Sequence, residues 1–271
     1  METLSTTLSA KQFNEICNLA YTLCGIRLTA GKEELVKSRL MKRIRALKLN
    51  NFDEYITYVN EDSSMTELRF MLDELATNKT SFFREMPHFD YLISTMIPNL
   101  QDRKIRIWSA GCSSGEEPYT IAMVLRENIS DVDRKDVSIL ATDLSHKILA
   151  RAKEGIYEKD TVKDVPASLV ARYFTVVNSG PSKRYRVNDN IKKMIKFAHL
   201  NLMGDWPMKG PFDIIFCRNV MIYFDKPTQN TLINRYYNYL REGGVLFVGH
   251  SESFTGLSHR FRFVKPAIYM R

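Results

Sequence analysis

Apolar residues step along the early part of the chain at helical spacing. Val36, Leu40, Ile44 and Leu47 fall four, four and three apart, which places them on one face of a helix. Similar patterns predict a helix over Phe52–Asn60 and another over Ser64–Leu75. Glycine is rare here, occurring only at Gly25 and Gly31 before Gly111, so the opening segment reads as a helical domain over residues 1–76. A linker, residues 77–86, follows, and from Pro87 the rhythm changes. A helix (Phe89–Leu100) leads to a strand (Ile105–Ala110), a glycine turn, a helix (Pro118–Asn128), a strand (Val137–Ala141) and a helix opened by Ser145. Strands Phe212–Cys217 and Val245–Gly249 enclose a helix over Thr228–Leu240, and Phe261–Lys265 with Ala267–Arg271 read as a terminal hairpin. Strands alternating with helices predict an α/β domain over 87–271 built on a doubly wound sheet. Between Ala171 and Leu202 the alternation breaks into short β-type runs, Arg172–Val177, Lys183–Val187 and Lys193–His199. The first two flank Asn178-Ser179-Gly180-Pro181-Ser182, a strong turn signal. A small antiparallel β subdomain inserted over 171–199 is expected.

Composition narrows the class. The 271 residues carry 39 basic and 31 acidic side chains, a formal charge of +8. Lys32–Lys48 holds seven cations against two acids and Ser182–Lys196 six against one, so the rest of the chain carries −2. At about 100° per residue, Lys37, Arg39, Lys42 and Arg45 fan away from the apolar stripe of their helix. Two positive patches on a slightly acidic body fit an acidic protein partner better than a continuous phosphate-tracking groove. No apolar run is long enough to span a membrane, and Met1–Thr7 shows no leader pattern, so a cytoplasmic protein without membrane insertion is expected. Cys17, Cys24, Cys112 and Cys217 form no Cys-x-x-Cys pair and meet no histidine cluster at metal spacing. Reduced thiols and no metal are the expectation.

The candidate chemistry lies where strands end. Trp108-Ser109-Ala110-Gly111-Cys112-Ser113-Ser114-Gly115-Glu116-Glu117-Pro118-Tyr119 runs from a strand through two glycines into a helix that opens with paired acids. A dinucleotide site would present that helix terminus to a pyrophosphate, which two carboxylates repel. They suit a cationic, hydroxyl-rich ligand such as the amino end of S-adenosylmethionine, although a plain tight turn is the competing reading. Asp143, at the end of the next strand, is placed to bond ribose hydroxyls or to cap a helix, a task for which Ser145 is better placed. In Asp213–Phe224 the polar residues begin at the carboxyl edge of the sheet, and Tyr223 is either a packing aromatic or a pocket wall. The Asn/Asp-Pro-Pro-Tyr signature of amine-directed methyltransferases is missing, which disfavours an N-methyl acceptor. Asn78-Lys79-Thr80-Ser81-Phe82-Phe83-Arg84-Glu85 either seals two domains together or belongs to the site.

Taken together, Asn78–Glu85, Gly115-Glu116-Glu117-Pro118-Tyr119, Asp143, Asn201-Leu202, Phe216–Phe224 and Gly249-His250-Ser251-Glu252 resemble the chemotaxis receptor glutamate O-methyltransferases of the CheR type. The resemblance spans the chain in family order. It implies a small helical domain followed by a Rossmann-like, S-adenosylmethionine-dependent methyltransferase domain carrying the β subdomain. It implies a donor site lined by Asn78, Thr80, Arg84, Glu117, Asp143, Asn201, Leu202, Arg218 and Asn219, with S-adenosylhomocysteine as product. Arg84 and Tyr223 would lie by the transferring methyl and the acceptor, a glutamate on an acidic, helical, cytoplasmic receptor region. Lys37, Arg39, Lys42 and Arg45 would dock that region, and the β subdomain could take a C-terminal receptor peptide. A monomer that binds no nucleic acid is expected. The competing readings are a nucleic-acid methyltransferase, a donor-binding receptor regulator without catalysis and, least favoured, an NAD dehydrogenase.

Overall fold

The computed structural model describes residues 7–100, 104–178 and 183–271. The Met1–Thr6 part of the start and the Ser179–Ser182 part of the turn lie outside them. The chain divides into two compact units, one running to Thr77 and including Tyr223–Asp225, the other comprising Asn78–Ile222 and Lys226–Arg271.

Among the described residues the first unit holds four α-helices: α1 (Ala10–Cys24), α2 (Glu33–Ala46), α3 (Phe52–Glu61) and α4 (Thr66–Leu75). Helix α1 precedes the three that the apolar spacing predicts. Its start is fixed by a capping box in which Ser9 and Gln12 satisfy each other's backbone N–H. Val36, Leu40 and Ile44 are fully buried, so the stripe expected on α2 is its core face. Inside the bundle, the Arg43 guanidinium donates to both oxygens of the buried Glu67, which also accepts the Tyr55 hydroxyl at 2.9 Å. A buried acid tolerates burial only when its lone pairs are filled in this way.

The second unit opens with α5 (Pro87–Tyr91). The expected helix Phe89–Leu100 is broken: Leu92–Met96 widens into a π turn and Ile97–Asn99 tightens into a 3-10 turn. Pro98, which cannot donate to the ladder, explains why α-helix does not continue. The other elements follow in order as β1 (Ile105–Ala110), α6 (Glu116–Asn128), β2 (Val137–Asp143), α7 (His146–Glu154), β3 (Ile156–Glu158), α8 (Ala167–Tyr173), β4 (Phe174–Asn178) and β5 (Arg184–Val187). They continue as α9 (Asp189–Lys192), β6 (Ile195–His199), β7 (Phe212–Cys217), α10 (Lys226–Tyr239), β8 (Leu240–Val248), β9 (Arg262–Lys265) and β10 (Ile268–Met270).

Seven strands form one sheet in the order β6-β2-β1-β7-β8-β10-β9. The first five are parallel, and β8, β10 and β9 close the sheet with antiparallel pairs. Every residue of β7 is buried, as a central parallel strand requires. The fully buried Trp108 of β1 packs edge-on against Trp206 and Tyr236 and donates its indole N–H to Thr142 at 2.9 Å. Strand order reverses between β1 and β7, and ligands bind such sheets at the carboxyl ends beside that switch point.

A three-stranded antiparallel sheet, β3-β5-β4, is present, but not with the membership expected for 171–199. The run ending at His199 is β6, an edge strand of the main sheet parallel to β2, from Ile139 beside Ile195 to Asp143 beside His199. Its alternate residues Ile195 and Phe197 pack over Cys112, Ala141 and Leu149, a core that only the main sheet offers. The small sheet instead gains β3, three residues directly after α7, too short to show a period. Arg172, expected in a strand, lies in the last turn of α8 instead.

Candidate active site

Five parallel strands deliver their carboxyl ends to one edge. After β1, the Gly111 and Cys112 N–H groups both donate to the Thr142 carbonyl, which stitches the turn to the end of β2. Gly111 has φ +87, and a Cβ there would meet Val220 Cγ2 at 2.4 Å, so only glycine fits between the two loops. The turn delivers α6, whose opening acids part company. Glu116 is buried and takes the Ser114 hydroxyl, whereas Glu117 accepts the Ser109 hydroxyl at 2.6 Å and Arg218 Nη1 at 3.1 Å.

Arg218 follows β7, and its side chain is only 2% exposed. Its guanidinium also donates to Glu85 Oε2 at 3.2 Å and to the Arg84 carbonyl, and it lies 5.6 Å from the Phe89 ring centroid. Glu85 and Phe89, four apart across the start of α5, thus supply partners on two sides of one cation. Phe83 and Glu85 both adopt left-handed backbone, at φ 54 and 59, as does Asn219 at φ 58. Residues with a Cβ reach that region at a cost of about 1–2 kcal/mol each; Arg218 holds the Glu85 side chain, and the Thr120 hydroxyl accepts the Phe83 N–H at 3.1 Å. Asn219 Nδ2 reaches Glu85 Oε1 at 3.5 Å, and its backbone N–H donates to Glu252 at 2.9 Å. Glu252 also accepts Ile222 and Gly249 N–H groups, closing the loop after β7 onto the end of β8. Burial pushes the Glu252 carboxyl up, and these N–H groups work against that rise.

At the other side of the switch point, Asp143 accepts the Ser113 N–H at 2.8 Å and the Ser145 N–H at 3.0 Å. Leu200 N–H donates to the Asp143 carbonyl, which sets Asn201 and Leu202 beside it at the end of β6. Asn201 turns the chain by accepting the Met203 N–H at 3.0 Å, and Leu202 is buried. The Asn78 carbonyl accepts the Ser113 hydroxyl at 3.1 Å, and Thr80 is half-buried along the same segment. Arg84 turns its guanidinium to the Lys79 carbonyl at 2.9 Å and keeps 34% of its side chain exposed. Asn78, Arg84, Glu117, Arg218 and Asn219 are therefore joined around the turn after β1 and the loop after β7, with Asp143, Asn201 and Leu202 at the adjoining strand ends.

Tyr223 belongs to the helical unit, where its hydroxyl donates to the Thr77 carbonyl at 3.3 Å. Among the surface cations, Lys37 pairs with Glu34 at 3.3 Å. Arg39 donates to the Leu75 and Ala76 carbonyls at the end of α4, and Lys42 and Arg45 are exposed.

Glu85, His88 and Glu252 carry roles that the sequence left unassigned, although Glu85 and Glu252 close two of the quoted motifs. His88 is fully buried, its ring 4.9 Å from that of His250, and neither ring nitrogen has a hydrogen-bond partner among the described residues. Burial, reinforced by Arg218, lowers its pKa to about 3. Glu85, His88 and His250 bring one ligand atom each within 4.8 Å of one another. The Glu85 oxygen nearest His88 is the one Arg218 holds, so a divalent cation there would face a buried guanidinium, and we assign no metal to it.

Two family matches account for the same division of the chain. Residues 11–76 match the CheR methyltransferase all-alpha domain, and residues 78–270 match the CheR methyltransferase SAM binding domain. The chain belongs to the CheR methyltransferase family. Among curated CheR-type relatives, a chemotaxis protein methyltransferase of Borreliella burgdorferi is 39% identical, covering 99% of this chain and 96% of its own. Chemotaxis protein methyltransferase 2 of Pseudomonas aeruginosa is 40% identical over 96% and 92%, and the Escherichia coli K12 chemotaxis protein methyltransferase is 36% identical over 97% and 91%. The chain is thus an S-adenosylmethionine-dependent methyltransferase by family. At the strand ends lie a glycine with no room for a Cβ and, beside it, acidic and amide side chains that could meet a polar, cationic ligand. Among the described residues no helix is long and apolar enough to cross a membrane.

Proposed function

We propose that the chain transfers a methyl group from S-adenosylmethionine to glutamate side-chain carboxylates of chemotaxis receptors, forming glutamate methyl esters. The observation that carries this reading is the buried Arg218, held by Glu85 and Glu117 beside a turn that only Gly111 permits. When bound, the donor supplies an electrophilic methyl on a sulfonium. Asp143 takes the ribose hydroxyls, Asn201 and Leu202 flank the adenine, Glu117 faces the amino-acid end, and Asn78, Thr80, Arg84, Arg218 and Asn219 line the rest of the donor site.

The acceptor chemistry needs little from the protein. A glutamate of ordinary pKa, about 4.3, is ionised at pH 7, so the nucleophile requires no general base. The protein must instead align a carboxylate oxygen with the methyl. Arg84, a third exposed, can exchange the Lys79 carbonyl for an acceptor carboxylate in a charge-assisted bond. Tyr223 is assigned the weaker task of orienting an acceptor carboxylate through its hydroxyl. Lys37, Arg39, Lys42 and Arg45 steer an acidic receptor helix, and the basic three-stranded sheet takes a receptor peptide.

The test is incubation of the protein with labelled methyl donor and receptor-bearing membranes, followed by mild base. Volatile label, released as methanol, supports a carboxyl methyl ester. Base-stable label in RNA overturns the reading, and tight donor binding without transfer makes the chain a regulator.

A further inference from the structure

Two carboxylates enclose one guanidinium beside the loop after β7. Glu85 and Glu117 lie 3.2 and 3.1 Å from Arg218, and their side chains are 13% and 12% exposed. Both Glu117 oxygens accept from donors, Ser109 and Arg218, which suits a carboxylate and not a carboxylic acid. Burial pushes the Glu117 carboxyl up, with Arg218 and Ser109 opposing it. Burial also raises Glu85, but Arg218 and the His250 backbone N–H outweigh it and hold that carboxyl below its ordinary range. The neighbouring His88 is neutral at pH 7. Arg84 approaches Glu85 at 3.9 Å, yet it is 34% exposed and screened by water. The enclosed group of Glu85, Arg218 and Glu117 therefore carries one surplus negative charge in a site that excludes most solvent.

The methyl donor and its product differ in charge at one atom. S-adenosylmethionine holds a sulfonium, and S-adenosylhomocysteine holds a neutral thioether in the same place. An uncompensated negative charge discriminates between two such ligands, whereas hydrogen bonds to their shared amino-acid, ribose and adenine parts do not.

We propose that Glu85 is a charge-selecting residue of the donor site, whose surplus negative charge raises affinity for the cationic donor relative to the neutral product. Glu117 alone would neutralise Arg218; Glu85 tips the balance. This rests on the placement of the donor beside Arg218 and Glu117 given under the proposed function. It also explains why Glu85 occupies left-handed backbone: that turn brings a second carboxylate to a cation already paired.

The experiment is calorimetric titration of the full chain with S-adenosylmethionine and, separately, S-adenosylhomocysteine. Glu85→Gln keeps the shape and removes the charge. It is expected to weaken donor binding about fivefold to tenfold, the order for one unit charge acting across several ångströms at intermediate dielectric. Product binding should stay within about twofold, so the ratio of the two affinities shifts. Glu85→Asp, which keeps the charge, should restore the wild-type ratio. Glu117→Gln, which removes a charge from the other side of Arg218, should shift the ratio in the same direction and serves if Glu85→Gln does not fold. Equal weakening of both ligands by the glutamine variants would make Glu85 a structural residue and overturn the proposal, as would an aspartate variant with the glutamine ratio. If the wild-type chain binds neither ligand, the donor-site reading falls and this inference falls with it.

Discussion

The Asp143 carboxylate accepts the Ser113 backbone N–H at 2.8 Å and so ties the end of β2 to the turn after β1. Its second oxygen takes the Ser145 N–H, where α7 begins. Asp143→Ala leaves both N–H groups without that partner, which costs about 1–3 kcal/mol of stability. On the proposed ribose role, donor affinity falls at least about tenfold as well. Urea unfolding and calorimetry separate the effects. A loss of stability with donor affinity intact would remove Asp143 from the ribose.

Arg84 is placed between donor and acceptor and Arg218 at the donor alone, and exposure separates them: 34% against 2% for the side chains. Arg84→Ala should therefore lower turnover roughly a hundredfold while donor affinity changes by less than about threefold. Single-turnover methylation and donor titration give the two numbers. Equal turnover in wild type and variant would dismiss the acceptor role.

The four α2 cations assigned to docking, Lys37, Arg39, Lys42 and Arg45, will not respond alike. Lys42 and Arg45 are exposed, so their replacement by alanine should flatten the salt dependence of receptor binding and leave thermal unfolding unchanged. Arg39 closes the end of α4 through the Leu75 and Ala76 carbonyls, so Arg39→Ala should cost about 1 kcal/mol of stability besides. A salt slope identical in all variants would take α2 out of the receptor interface.

His88 makes stability depend on pH. In the unfolded chain its imidazole takes a proton near pH 6.5, in the folded one only near pH 3. Between those values the unfolded state binds the additional proton, so stability falls as pH drops below 6.5, by up to about 1.4 kcal/mol per unit. Urea unfolding between pH 7 and 5 should show that slope, and His88→Phe, similar in size and without a titrating group, should flatten it. A variant as steep as the wild type would place the sensitivity elsewhere.

The segments that span strand, turn and helix were the most legible in the chain. From Trp108 to Tyr119 the apolar run, the glycines and the acids each belong to one element, and the structure keeps them so. The same holds for the buried run of β7 and the polar residues that follow it. What the chain concealed depended on distant partners. Lys193–His199 looked like its basic neighbours because nothing local says that Ile195 and Phe197 have β2 beside them. Glu85 looked like the polar end of a motif until β7 brought Arg218 against it across 133 positions. Glu252 likewise shows its purpose only when three backbone N–H groups arrive from the loop after β7 and the end of β8. His88 sits in a short helix whose burial no periodicity announces.

The three-stranded sheet leaves the chain after α7 and returns before β6, and β6 lies at the margin of the large sheet. The segment between Gly155 and Asn188 is therefore an insertion within a single crossover, bounded at its neck by the Val187 N–H to Gly155 carbonyl bond. It is nevertheless anchored in the body of the domain: Tyr157 donates its hydroxyl to the Ser114 carbonyl at 2.7 Å, and Phe82 meets Tyr157 and Phe174 edge-on. A lineage or an engineer that rewrites its exposed strands must therefore keep Tyr157 and Phe174, because the turn carrying Ser113 and Ser114 leans on the first and Phe82 on both.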